Sequence, residues 1–222
     1  MKQGDFLYID YVGRVKDTGE IFDLTRQDVA QKEGIYNPNL KYKPLPVVIG
    51  GNFVLKGLDE VLLQMSIGEK KTVEIPVEKA FGERKPELIR LVPMSTFQEQ
   101  NIDPNPGSYV TINGLNGRII SSSGGRIRVD FNHPLAGKKL EYDVEAKEEI
   151  KETSDKIFAV ISYYYPNLER SDVEMKFVEK EVELKIKADV DMHNNVKRTI
   201  ADTIMKWVEI NKVRFVDEYE RK

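Results

Sequence analysis

Cysteine is absent from the 222 residues, and histidine occurs only as His133 and His193. The first absence excludes a disulfide framework, a thiol nucleophile and a thiolate metal site. The second leaves zinc or triad chemistry to two residues far apart in sequence, so no cofactor and no metal are expected. No apolar run approaches the roughly 20 residues that span a bilayer. The opening MKQGDFLYIDYVGRV has no cationic stretch followed by an apolar one. A cytoplasmic protein without a membrane partner is the expectation. Cationic excess is missing too: 34 Lys and Arg face 37 Asp and Glu, a net charge of −3. That balance argues against nucleic acid as a partner.

What is present is a soluble profile, 40% hydrophobic and 32% charged, long enough for one to three small domains. The Lys- and Glu-rich, Cys-free composition also suits a thermophile. Phe6 to Val15 alternates as a strand does. A turn at Asp17-Thr18-Gly19 then leads into extended Glu20 to Asp23, making a hairpin. Thr25 or Asp28 would cap a short helix ending at Lys32, before Gly34. Tyr36 to Pro46 carries three prolines and reads as a surface loop. Lys71 to Pro76 alternates again, as does Leu140 to Ala146. Between them prolines recur and short strands are expected at Tyr109–Ile112, Arg118–Ile120 and Arg126–Phe131, with Ser121 to Gly125 as a flexible hairpin tip.

From Thr153 the pattern changes. A helix over Ser154–Tyr164, strands over Val173–Val178 and Val182–Ile186, a helix carrying Val196, Ile200, Ile204 (or Thr203), Trp207 and Val208, and a last strand with Val213, Phe215 and Tyr219 make an αββαβ unit. The Asp189/Asp191 pair reads most simply as a turn, and His193 as a solvated residue.

The segment VVIGGNFVLKGLDEVL, Val47 to Leu62, has a strand, a glycine turn and a helix in sequence. That is the layout of a phosphate-binding loop. Such a loop needs a lysine after its last glycine, followed by Ser or Thr. Here Lys56 precedes Gly57 and Leu58 follows. Phe53, Val54 and Leu55 have no use for a triphosphate. The segment therefore suits something apolar: either Val54 and Leu55 face a pocket, or they are core residues beneath the helix that starts at Gly57.

Asp10-Tyr11-Val12-Gly13, Phe22-Asp23, Val48 to Leu58, Ala80-Phe81-Gly82-Glu83 and Glu141-Tyr142-Asp143-Val144 occur in one order. Together they resemble the FKBP family of peptidyl-prolyl cis-trans isomerases. Leu91-Val92-Pro93 with Phe97, and the run Val129 to Lys138, resemble the ends of the insert-in-flap domain of its SlyD-like branch. The proline-rich loop and the extra C-terminal domain look like the longer archaeal members. The resemblance implies an α+β fold: an antiparallel sheet wrapping a short helix (1–85 and 130–151), an inserted small β domain (86–129) and a C-terminal α+β domain (152–222).

The resemblance also implies a site. Tyr11, Asp23, Leu55 and Phe81 would be catalytic, and Phe22, Leu45, Val54, Leu58 and Tyr142 would bind substrate. Leu58 stands where the short drug-binding members have Trp, Leu45 where an aromatic is common, and Phe81 where Tyr is usual, which disfavours tight macrolide binding. Rotation about a peptide bond costs about 18–20 kcal/mol. An apolar pocket would strip water from the prolyl imide and favour the twisted state over either planar one. The Leu55 N–H would hold a substrate carbonyl. Asp23 would meet the imide or orient Tyr11, unless it is only a turn residue after a strand.

Val92, Met94, Phe97, Val110, Ile112, Leu115, Ile119 and Ile120 supply the insert with apolar side chains. Some must form its core. The rest would make a chaperone surface for unfolded or proline-containing polypeptides, and Val92, Met94, Phe97, Val110, Ile112, Ile119 and Ile120 are the candidates. His133 is read as structural. A holdase with a vestigial pocket is the rival reading. For the C-terminal domain, a homodimer interface, further client capture and ribosome docking stay open.

Overall fold

The computed structural model describes residues 1–186 and 192–216. Asp189, Asp191 and Tyr219 therefore lie outside the described residues. In chain order the elements are β1 (Phe6–Val15), β2 (Ile21–Leu24), α1 (Gln27–Lys32), β3 (Leu45–Val48), α2 (Lys56–Leu63), β4 (Lys70–Ile75), β5 (Ile89–Pro93), α3 (Met94–Glu99), β6 (Tyr109–Ile112), β7 (Leu115–Ser123), β8 (Arg126–Asp130), β9 (Leu140–Ile150), α4 (Thr153–Tyr164), β10 (Val173–Val178), β11 (Glu181–Ile186), α5 (Asn194–Trp207) and β12 (Lys212–Val216). This is the expected α+β class with antiparallel sheets. The chain forms two compact units, one of Met1–Ile75 with Leu140–Lys222 and one of Pro76–Lys139.

In the first unit the sheet runs β2-β1-β9-β4, with β3 sharing the β2 edge of β1. Its pairings are all antiparallel. β1 alternates, so Leu7, Ile9, Tyr11 and Val15 present one buried face. α2 buries Leu58 and Leu62, with Met65 just beyond its end. Each such aliphatic side chain contributes about 1.5–3 kcal/mol when fully buried. Half-buried and exposed residues of the sheet carry ion pairs such as Arg14–Asp143, at 2.6 Å, and Lys70–Glu145. Pairs of this kind contribute about 0–1 kcal/mol each.

Neither expected cap closes α1. Its N-cap is Arg26, with no side-chain cap. The Thr25 hydroxyl is already committed, accepting from the Tyr11 N–H and donating to Asp10 Oδ1. Asp28 instead takes the Arg26 guanidinium. The loop after Tyr36 also ends earlier than its prolines suggest, because Leu45 and Pro46 belong to β3. Pro46 stands opposite Tyr8 on a strand paired only with β1, and an edge strand tolerates a residue without an N–H.

α4, β10, β11, α5 and β12 reproduce the expected αββαβ order. β10 and β11 are antiparallel; α5 then carries the chain to β12, parallel to β11. Ile200 and Ile204 form the buried stripe of α5. Thr203 lies outside it, donating to the Thr199 carbonyl.

The second unit holds a four-stranded sheet in the order β5-β8-β7-β6. Two of its elements, β5 and α3, have no counterpart in the sequence reading; Pro93 ends β5 and is the N-cap of α3. The serines at 121–123 are strand rather than tip. Only Gly124 and Gly125 turn, both at positive φ, the conformation that a two-residue hairpin demands.

Candidate active site

Tyr11 on β1 and Tyr142 on β9 are diagonal neighbours, since Tyr142 stands opposite Gly13 and Val144 opposite Tyr11. Their rings lie 5.7 Å apart. The third ring arrives by an irregularity. Gly13 pairs with Asp23 and Arg14 with Ile21, which leaves Phe22 as the extra residue of a bulge. Bulges re-aim side chains, and here the Phe22 ring folds over the bare Cα of Gly13 and meets Tyr142 edge to face, with ring centroids 5.7 Å apart. A methyl group on Gly13 would stand 2.7 Å from that ring.

Asp23 closes the cluster. Its carboxylate accepts the Tyr11 hydroxyl at 2.6 Å. Burial, with Asp23 as the next cause, pushes the Tyr11 phenol pKa well above its ordinary value. Burial and Asp23 push Tyr142 up as well. Both phenols stay neutral, and Tyr11 donates its hydroxyl to Asp23. The arrangement offers aromatic walls, a fixed hydroxyl and one carboxylate.

The Val47–Leu62 segment forms β3, a turn and α2. Gly50 turns at positive φ, and its N–H is received by both carboxylate oxygens of Asp59, at 3.0 and 2.9 Å. Gly51 has no room for a side chain, because a Cβ would lie 2.9 Å from the Val48 carbonyl oxygen and from the Phe53 ring. Val54 and Leu55 are half-buried, and Leu55 is the N-cap of α2. Leu58 is 1% exposed, so it is a packed core residue at the base of the segment. Leu45 stands on β3 opposite Ile9.

The structure thus gathers Tyr11, Phe22, Asp23 and Tyr142 into one contact cluster and places Leu45, Val54, Leu55 and Leu58 in the same unit. Phe81 belongs to the second unit, where it stacks parallel on His133 at 4.1 Å. Thr25 is read from sequence only as a helix cap, Gly13 only as part of a motif, and Tyr163 only as part of a helix, yet all three shape this region. Thr25 fixes the β1–β2 corner; Gly13 makes room for Phe22; Tyr163 donates to the Phe53 carbonyl. Only the run of three tyrosines, Tyr163 to Tyr165, hinted at the last.

In the insert, Phe97, Val110, Ile112 and Ile119 pack with Ile127 and Val129 as a closed core, with Val92 and Met94 against it. Four of the seven side chains assigned to a client surface are therefore interior: a module this small needs them to fold at all. Ile120 is exposed, together with Leu91, Tyr109 and Leu115. β6 is an outer strand. A cleft of about 640 Å³ is lined by Tyr109, Val110, Thr111, Asn116 and the Phe131–Pro134 stretch.

Among the described residues no helix is long and apolar enough to cross a membrane. None of them form a cluster of three or more His, Asp or Glu side chains that could hold a metal.

An antiparallel sheet on a short helix, with an aromatic cluster and an inserted sheet domain, is the class of fold that the sequence resemblance implies. Comparison with known proteins makes this specific. A family model for the IF domain of FKBP26 matches residues 90–135, and one for the FKBP26 C-terminal region matches 153–220. A short-type peptidyl-prolyl cis-trans isomerase of Methanocaldococcus jannaschii is 32% identical over 148 residues, 67% of this chain and 93% of the relative. A probable FKBP-type 16 kDa peptidyl-prolyl cis-trans isomerase of Pseudomonas fluorescens is 36% identical over 107 residues, 46% of this chain and 70% of that relative. The SlyD isomerase of Helicobacter pylori is 29% identical over 111 residues, 49% and 60% of the two chains. The chain belongs to the FKBP-type peptidyl-prolyl cis-trans isomerases.

Proposed function

We propose that the enzyme accelerates X–Pro isomerisation in unfolded or partly folded proteins, with a desolvating site built on the Tyr11, Phe22, Asp23 and Tyr142 cluster. The observation that carries this reading is the bulge that turns Phe22 onto Gly13, beside Tyr142 and next to the Tyr11–Asp23 pair. The X–Pro isomers differ by only about 0.5–1 kcal/mol, yet they exchange over tens to hundreds of seconds. The barrier, and not the equilibrium, is what such a site changes. Water favours the polar planar imide, so a dry aromatic slot lowers the cost of twisting. The Leu55 N–H holds a substrate carbonyl while the proline ring turns, and Leu45 and Val54 complete the apolar lining. Asp23 holds Tyr11 in place and sets a negative charge near the twisting bond.

The insert captures clients. Its outer strand β6 offers unpaired backbone groups to an extended chain. The exposed Tyr109, at 67%, and Leu115 and Ile120 supply apolar grip. Carrying a capture module and an isomerase site on one chain raises the local concentration of prolines at the site. The protein works in the cytoplasm, and its C-terminal domain is a candidate homodimer interface.

The test is an isomerase assay on a short proline peptide and on a proline-limited refolding protein. Wild type is compared with Asp23→Ala and with a form in which 86–129 is replaced by a short Gly-Ser link. Lys85 and Asn132 are joined by reciprocal hydrogen bonds, at 2.8 and 3.0 Å, so the ends to be linked lie close together. Asp23→Ala should slow both substrates. The deletion should slow refolding far more than peptide turnover. A deletion form equal to wild type in refolding would remove the capture role. Asp23→Ala with full peptide activity would remove the site assignment.

A further inference from the structure

The C-terminal segment touches two stretches of chain that lead into proposed site residues. Tyr163, near the end of α4, donates its hydroxyl to the Phe53 carbonyl oxygen at 2.9 Å, and its ring lies 4.6 Å from the Phe53 ring. The Lys41 ammonium donates to the Asn167 carbonyl at 3.2 Å and to Glu169 Oε1 at 2.5 Å. The first contact falls one residue before Val54 and Leu55, and the second falls in the loop that leads to Leu45.

The peptide unit is planar, so fixing a carbonyl fixes the N–H that follows it. In the 50–55 turn three anchors act in series. The Asp59 carboxylate takes the Gly50 N–H. Tyr163 holds the Phe53 carbonyl, and with it the plane that continues into Val54. The Leu55 carbonyl accepts the Asp59 N–H in the first turn of α2. With the planes on either side fixed, the single plane between them, which carries the Leu55 N–H, has little freedom left. Removing the middle anchor releases it. The ring contact alone does not do this, because a tilted packing against the Phe53 ring leaves the carbonyl free to swing.

We infer that Tyr163 is a positioning residue for the isomerase site, its hydroxyl orienting the Leu55 N–H through the Phe53–Val54 peptide plane, so that the C-terminal domain is part of the catalytic apparatus. The inference rests on the assignment of the Leu55 N–H as the donor to substrate.

The experiment uses the full chain and a protease-free assay on a proline tetrapeptide, with kcat and KM separated. Tyr163→Phe keeps the ring and loses the hydroxyl. It should lower kcat/KM by about 3- to 10-fold, the equivalent of one hydrogen bond, mainly through KM. Its melting temperature should stay within about 3 °C of wild type. Asp23→Ala, measured beside it, reports on the site itself. A Tyr163→Phe enzyme with wild-type kcat and KM, beside an impaired Asp23→Ala, would overturn the inference and leave the site assignment standing. A lowered melting temperature with unchanged constants at a temperature where both forms are folded would also overturn it, by making Tyr163 a packing residue. If Asp23→Ala is fully active, the site assignment fails and takes the inference with it.

Discussion

The Tyr11 hydroxyl donates to Asp23 across 2.6 Å, and this bond joins two strands at the point where their pairing is irregular. β2 is four residues long and forms an edge of the sheet. Few contacts hold it, so a bond from the sheet interior to its penultimate residue matters for keeping Phe22 in place. The Thr25 hydroxyl accepts the Tyr11 N–H and the Thr25 N–H donates to the Tyr11 carbonyl. Tyr11 is thus held through backbone and side chain alike.

Tyr11→Phe should cost about 1 kcal/mol at pH 7, because Asp23 is exposed and regains water when it loses its partner. The alkaline limb should distinguish the two proteins. The folded phenol pKa is raised, mainly by burial, so Tyr11 stabilises the fold fully below the ordinary phenol pKa of about 10. Above that pH the unfolded chain ionises while the folded one resists, and stability falls by up to about 1.4 kcal/mol per pH unit from this group. Wild type should lose its advantage over Tyr11→Phe between pH 10 and 11. Urea unfolding at a series of pH values measures the difference, in which the lysines common to both cancel. A gap that stays constant to pH 11 would contradict the assignment.

Gly13→Ala should be far more damaging than an exposed Gly→Ala change. The new methyl group would stand 2.7 Å from the Phe22 ring, so the ring must leave Tyr142 or the bulge must open. Overpacking of this kind costs about 1–3 kcal/mol. The displaced ring is one of the three in the proposed site, so peptide isomerase activity should fall at least about 10-fold, which corresponds to about 1.4 kcal/mol. Activity near wild type in a folded variant would show that Phe22 is dispensable.

Asp59→Asn tests the tie on the 50–55 turn. The carboxylate receives the Gly50 N–H, but burial outweighs that bond and raises its pKa. The ionised form is therefore disfavoured in the fold. A carboxamide oxygen still accepts the N–H without a charge to desolvate, so Asp59→Asn should lie within about 1 kcal/mol of wild type at pH 7. A raised folded pKa gives stability that is present below the unfolded value and is lost as pH rises through the folded one. Wild type should consequently gain on the variant as pH falls from 7 towards 4. Denaturant unfolding at those pH values checks the sign, and a relative loss on acidification would refute it.

Periodicity made most of the framework legible. β1, β6, β10 and the αββαβ order of the C-terminal region follow from alternation and helical spacing, because each element buries one regular face. Phe22-Asp23 could be matched to a family motif, yet the bulge that aims Phe22 could not be read, since it is a property of pairing between two strands. Proline misled at Pro46, where an edge strand accepts it. The apolar residues of the insert looked equally suited to core and surface. Only the three-dimensional packing assigns Phe97 and Ile119 to the inside and Tyr109 and Leu115 to the outside. Tyr163 showed only as one of a run of three tyrosines; its partner Phe53 is 110 residues away.

The proposed mechanism also fixes what pH and solvent should do to the rate. Twisting an imide in a dry site transfers no proton, so kcat/KM on a tetrapeptide should stay flat between about pH 6 and 9, the range in which a general base would be tuned to act. The geometry supports this. Tyr11 and Tyr142 are held neutral well above that range by burial and by Asp23. Histidine is the side chain that ordinarily changes charge near neutrality, and none belongs to the Tyr11, Phe22, Asp23 and Tyr142 cluster. Activity should decline only above about pH 10, together with the folded state. Exchange of water for deuterium oxide should change kcat/KM by no more than about 1.5-fold, since a positioned proton transfer would carry part of the barrier. A bell-shaped profile centred near neutrality, or a solvent isotope effect of two or more, would require an acid–base group that this cluster does not contain, and the desolvation mechanism would have to be given up.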